Sequence, residues 1–115
     1  MFKKLRTVIY HTDNLEKAKE WYTAATGVKP YFEQPFYVGF DINGFELGLD
    51  PDISQLVPGN QTVSYWDVEN VEEALEKLLA LGAKLIQDKT NVGGPIFVGI
   101  VEDPFGNHIG LIQGG

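Results

Sequence analysis

The chain has 115 residues, no cysteine, two histidines and a net charge of 9 − 16 = −7. That length allows one domain or two small repeats, the missing cysteines exclude disulfides, thiolate metal sites and cysteine nucleophiles, and the acidity argues against a nucleic-acid partner. No apolar run approaches the roughly 20 residues of a membrane helix, and the basic start Met1–Arg6 lacks the apolar stretch of a signal peptide, so a cytoplasmic protein with no membrane partner is expected.

Leu5 to Tyr10 reads as a strand, with Leu5, Val8, Ile9 and Tyr10 apolar, β-branched or aromatic. Asp13 or Asn14 can cap a helix, and Glu16 suits its first turn. Leu15, Ala18, Trp21, Tyr22 and Ala25 recur at helical spacing, and Gly27 ends the run. Tyr31–Glu33, Tyr37–Ile42 and Phe45–Leu49 read as short strands, the last two joined by the hairpin signal Asn43-Gly44. Residues 52–61, with Pro58, Gly59 and Asn60, read as a linker.

The pattern then starts again. Thr62–Val68 reads as a strand, Glu69-Asn70 as a cap, and Val71–Leu81 as a helix with Val71, Ala74, Leu75, Leu78 and Leu79 on one face, ended by Gly82. Glu69, Glu72, Glu73 and Glu76 read as a solvated face of this helix. Ala83–Gln87, Ile96–Val101 and His108–Ile112 read as strands, and Asp103–Asn107 as a tight turn. The stretch from Asn91 to Pro95 lacks the Lys-Ser/Thr pair of a phosphate loop and reads as a flap.

The two halves are a repeat. Asn14, Glu16, Ala18 and Glu20 recur as Asn70, Glu72, Ala74 and Glu76, four identities in ten aligned positions at an offset of 56. The expected fold is therefore α+β: two tandem βαβββ modules, residues 1–51 and 62–115, whose strands form a curved mixed sheet, a cup with the helices outside. Strand alternation then puts Thr7, Ile9 and His11 on the inner face of the first module. In the second module it puts Val63, Tyr65, Asp67, His108, Gly110 and Ile112 there. Trp21, Tyr22 and Trp66 are assigned to the core.

The helix signature Asp13–Tyr22, repeated from Glu69, together with Asp103-Pro-Phe-Gly-Asn107 before a closing strand, resembles the vicinal oxygen chelate superfamily. That group includes glyoxalase I, extradiol dioxygenases, fosfomycin resistance enzymes and bleomycin resistance proteins. The segments Pro35–Phe40, Glu46–Pro51 and Val92–Pro95 further resemble a glyoxalase-like subgroup of unassigned substrate. The resemblance implies a small organic molecule as partner and a homodimer. In the metal-dependent members it implies one ligand on the first and one on the last strand of each module. Carried over by position, these are Thr7, Glu46, Val63 and Gly110, of which only Glu46 can bind a cation well. A stable site usually needs about three protein ligands, so no metal and no other cofactor is expected.

The candidate site residues are Thr7, Tyr37, Glu46, Tyr65 and His108 for ligand binding. His11, Glu46 and Asp67 are the candidates for acid–base chemistry, His11 and Asp67 being repeat-equivalent. A carboxylate on an inner face is costly unless partnered, so Glu46 should meet a ligand, a cation or Thr7. Two functions compete: a protein that binds a small organic molecule with the metal site lost, and a lyase, isomerase or dioxygenase of glyoxalase type that uses Glu46 and His11 as acid–base groups or metal ligands. A shared fold alone does not decide between them.

Overall fold

The computed structural model describes residues 1–54 and 63–114. Most of the expected linker, residues 52–61, lies outside them. The chain divides into two compact units, Met1–Val57 and Pro58–Gly115, and each contains one βαβββ module.

The first unit holds β1 (Thr7–His11), α1 (Leu15–Thr26), β2 (Phe32–Gln34), β3 (Tyr37–Ile42) and β4 (Phe45–Asp50). Its sheet has the order β1-β4-β3-β2, with β1 parallel to β4 and the other pairs antiparallel. The Asn14 side chain accepts the Lys17 N–H and starts α1, and Gly27, at φ 74°, ends it. Asn43 and Gly44 both take positive φ, the geometry a two-residue hairpin loop requires, and Asp41 Oδ1 accepts the Gly44 N–H at 2.8 Å. Alternation sorts the strand residues. Tyr10, Val38, Phe40, Leu47 and Leu49 are buried, as are Ala18 and Tyr22 of α1. The Tyr10 and Tyr22 rings meet at 5.6 Å between centroids. The opposite face of the sheet carries Thr7, Ile9, Tyr37, Gly39, Asp41, Glu46 and Gly48, in register across the strands.

The second unit holds β5 (Ser64–Asp67), α2 (Val71–Ala80), β6 (Lys84–Gly93), β7 (Ile96–Glu102) and β8 (His108–Gln113). Its sheet order, β5-β8-β7-β6, repeats the first, again with one parallel pair. Asn70 caps α2 through the Glu73 N–H. Val71, Leu75 and Leu78 of α2 are buried together with Val101, Ile109 and Leu111. Gly99 lets α2 approach β7: a Cβ there would lie 3.0 Å from Leu75 and 3.2 Å from Val71.

Three expectations need correction. The strand read as 83–87 is a ten-residue strand that continues to Gly93. The segment read as a flap is therefore the end of the β6–β7 hairpin, where the Asn91 amide donates to Gly94 O at 2.9 Å and Gly93 and Gly94 take positive φ. Trp21 and Trp66 are only half-buried, whereas Tyr22 is in the core. Among the described residues no helix is long and apolar enough to cross a membrane.

Candidate functional site

The site grows from one strand position. Glu46 is the second residue of β4, and its backbone N–H donates to Arg6 O at 2.9 Å, which ties the residue before β1 to it. Across the sheet Glu46 lies opposite Thr7 on one side and Asp41 on the other. Its side chain stands on the face away from α1 and meets two phenols. Tyr31 donates its hydroxyl to Glu46 Oε1, and Tyr37 donates its own to Oε2.

Two glycines make room for those rings. Gly39 and Gly48 are paired across β3 and β4 on this same face. A Cβ at Gly48 would collide with the Tyr37 ring and hydroxyl, and one at Gly39 would come within 3.2 Å of Tyr31 Cε1. The phenols therefore pass close over bare backbone to reach Glu46. Arg6, Thr7, Tyr31, Asp41, Phe45 and Glu46 line an open cleft of about 170 Å³. Phe32 and Phe36 extend an exposed aromatic strip beyond it, 6.3 Å apart between ring centroids, with Tyr31 6.5 Å from Phe32.

The electrostatics follow from these contacts. The hydrogen bonds from Tyr31 and then Tyr37 hold the Glu46 carboxyl below its ordinary 4.5, helped by the Arg6 charge and opposed by partial burial. The same carboxylate pushes the Tyr31 phenol above its ordinary 10.0. Burial first, and Glu46 second, push Tyr37 up further. Glu46 is thus an anion with neutral donors on both oxygens.

The other candidates are placed separately. Thr7 lies beside Glu46 in the cleft. His11 ends β1, with Nδ1 3.0 Å from Asp52 O. Asp67 ends β5, exposed and opposite Ile112. Tyr65, 48% exposed, lies over Gly110, where a Cβ would come within 2.7 Å of its ring. His108 opens β8 opposite Glu102 of β7, and its Nε2 lies 3.2 Å from Glu102 Oε1.

The registers also correct the repeat equivalence drawn from sequence. Ile9 and Tyr65 are equivalent at the offset of 56, and they pair with Gly48 and Gly110. Gly110 thus corresponds to Gly48, not to Glu46, and Glu46 corresponds to His108. Both glycines lie under a tyrosine ring. Tyr31 and Arg6 are site residues that the sequence reading missed. The available signal for Tyr31 was Gly39: a glycine inside a strand marks a close approach from above.

A metal fits this donor set poorly. By register the equivalent last-strand positions are Glu46 and His108, two strong donors where a stable site needs about three. Both oxygens of Glu46 accept from phenols, His108 Nε2 lies against Glu102, and among the described residues no three of His, Asp and Glu gather as a metal centre needs.

Comparison with known proteins matches residues 4–111 to the Glyoxalase/Bleomycin resistance protein/Dioxygenase superfamily. No curated protein is similar enough to count as a relative. Among solved structures, a glyoxalase/bleomycin resistance protein/dioxygenase family enzyme from Burkholderia phytofirmans superposes with a TM-score of 0.82 at 17% identity, over 96% of this chain and 98% of that one. A glyoxalase-related enzyme from Fulvimarina pelagi gives 0.79 at 20% identity, over 98% and 89%. Lactoylglutathione lyase from Agrobacterium tumefaciens gives 0.75 at 18% identity, over 96% and 93%. At these identities the likenesses show the fold alone.

Proposed function

The chain belongs to the Glyoxalase/Bleomycin resistance protein/Dioxygenase superfamily, and from that premise we propose that it binds a small organic molecule, with Glu46 of the first module as the polar anchor and without the family's metal. The observation that carries this reading is the pair of phenol hydrogen bonds on Glu46 at the side of an open cleft. Ligand sites set a few placed polar groups against aromatic or apolar surface, and in this mainly polar cleft the rings of Tyr31 and Phe45 stand beside Arg6, Asp41 and Glu46. The reading without a metal rests on the poor donor set around Glu46.

The acid–base alternative has less support. A carboxylate whose proton affinity is lowered by two donors is a weak general base, because efficient bases have pKa values near the working pH. His11, its proposed companion, ends β1 opposite Asp50, two pairs beyond the Ile9–Gly48 step and four beyond Glu46.

A thermal-shift screen of a small-molecule library on the parent and on Glu46→Ala tests the proposal. Compounds that raise the parent's melting temperature should lose that effect in the variant, which stays folded because Glu46 stands on the face away from the core. Hits that stabilise both proteins equally would remove Glu46 from the site.

A further inference from the structure

The two phenols on Glu46 are not equivalent. Tyr37 sits within β3, half-buried, with its hydroxyl over Gly48. Tyr31 precedes β2, is 62% exposed, and lines the cleft together with Glu46. A molecule entering from the cleft therefore meets the Tyr31 hydroxyl first. Tyr37 keeps Oε2, so Oε1 is the oxygen open to exchange.

That geometry restricts what can enter. A carboxylate oxygen only accepts, so the newcomer has to bring a donor. A neutral hydroxyl would replace one neutral donor by another and gain little. A cationic donor gains a charge-assisted bond, roughly twice as strong. A guanidinium fork uses both carboxylate oxygens, and one is occupied, whereas an ammonium needs one. The charged groups in the cleft are Arg6 against Asp41 and Glu46, one positive against two negative. The rings of Tyr31 and of the exposed Phe45 offer faces on which a cation can rest. The overall charge of −7 attracts cations. The volume of about 170 Å³ is near the ~150 Å³ that holds one benzene.

We propose that the first-module cleft takes a small organic ammonium ion, bound through Glu46 Oε1, and that Tyr31 is the gate its ammonium group displaces. This deepens the small-molecule reading above and rests on it.

The probes are benzylammonium, benzyl alcohol and benzoate, titrated into isotopically labelled protein and followed by amide NMR shifts. Benzylammonium should shift Gly44, Phe45 and Glu46 and bind about tenfold or more tighter than the alcohol, the difference a charge-assisted bond makes. Glu46→Gln should erase that preference. Tyr31→Phe keeps the ring and removes the competing hydroxyl, so benzylammonium should bind roughly three- to tenfold tighter, the worth of one ordinary hydrogen bond. If the alcohol or benzoate binds this face as tightly as benzylammonium, the ammonium assignment falls while the small-molecule reading stands. Weaker benzylammonium binding in Tyr31→Phe would overturn the gate. If none of the three probes shifts this face, the ammonium proposal falls, and the library screen decides the broader reading by itself.

Discussion

Glu46 carries an ordinary glutamate's chemistry into an unusual setting, because two tyrosines on bare glycine backbone compete for nothing else. Its depressed pKa makes stability depend on acid. The Glu46 contribution is fully present above the ordinary 4.5 and is lost as pH falls through the lower folded value. The parent should therefore lose urea resistance below about pH 4.5 more steeply than Glu46→Gln, which has no proton to take up there. The tyrosines have the opposite sense. Their neutral forms stabilise the fold fully below the ordinary 10.0, and this is lost as pH rises through the raised folded values. In a spectrophotometric phenol titration, Glu46→Gln should return Tyr31 further toward 10.0 than Tyr37, because the Glu46 hydrogen bond dominates the first shift and burial the second. Equal return of both would contradict that ordering. Gly48→Ala should cost on the order of 1–3 kcal/mol by overpacking, since the half-buried Tyr37 cannot yield easily. Gly39→Ala should cost less, because the exposed Tyr31 ring can swing away. Urea midpoints rank the two.

At the scale of elements, local signals dominate where they are strong. Asn14 and Asn70 each accept the N–H three residues on, and each helix begins where that capping residue predicts. Asn70→Ala should cost about 1 kcal/mol, read as a shift in urea midpoint. The Asp103 turn is a stronger case. The buried Asp103 accepts from the Phe105 and Asn107 N–H groups and from the Asn107 amide, so Asp103→Ala leaves three half-buried donors without their acceptor. It should cost about 2 kcal/mol or more. The Asn43-Gly44 hairpin and the βαβββ order are legible in sequence for the same reason: capping and turn chemistry is written within a few residues. The length of β6 is not. Asp88-Lys-Thr-Asn91 is polar throughout and nearly all exposed, and three register shifts break its alternation against β7, so no period marks it as a strand. The Tyr31–Glu46 contact is also hidden, because Tyr31 lies outside any strand and reaches Glu46 only by crossing β3 over Gly39.

For the molecule as a whole, the duplication makes the fold legible in sequence but not the equivalence of the last strands. The helix repeat fixes the first strands at an offset of 56. The loops before the last strands differ: Asn43-Gly44 is two residues, while Asp103–Asn107 is five. The helix offset of 56 therefore does not reach the last strands, where Gly48 and Gly110 are 62 residues apart, and only the strand registers show that Gly48 is Gly110's counterpart. The corrected pairing leaves glycine under tyrosine in both modules and makes His108 the counterpart of Glu46, while among the described residues no three His, Asp or Glu side chains gather. Added Zn²⁺ or Mn²⁺ should accordingly leave the melting temperature unchanged, since an ion stabilises a fold only as far as it binds the folded state. A concentration-dependent rise would contradict the poor donor set around Glu46.

The proposed ligand site is Glu46 with its two tyrosines. Amide NMR mapping of a fragment library on labelled parent protein tests it most directly. Bound fragments should shift residues around Thr7, Gly39, Asp41 and Gly44–Glu46, and Glu46→Gln should abolish those shifts. Fragments that instead gather on the face of His108 and Glu102, or that shift the first module equally with and without the Glu46 carboxylate, would contradict it.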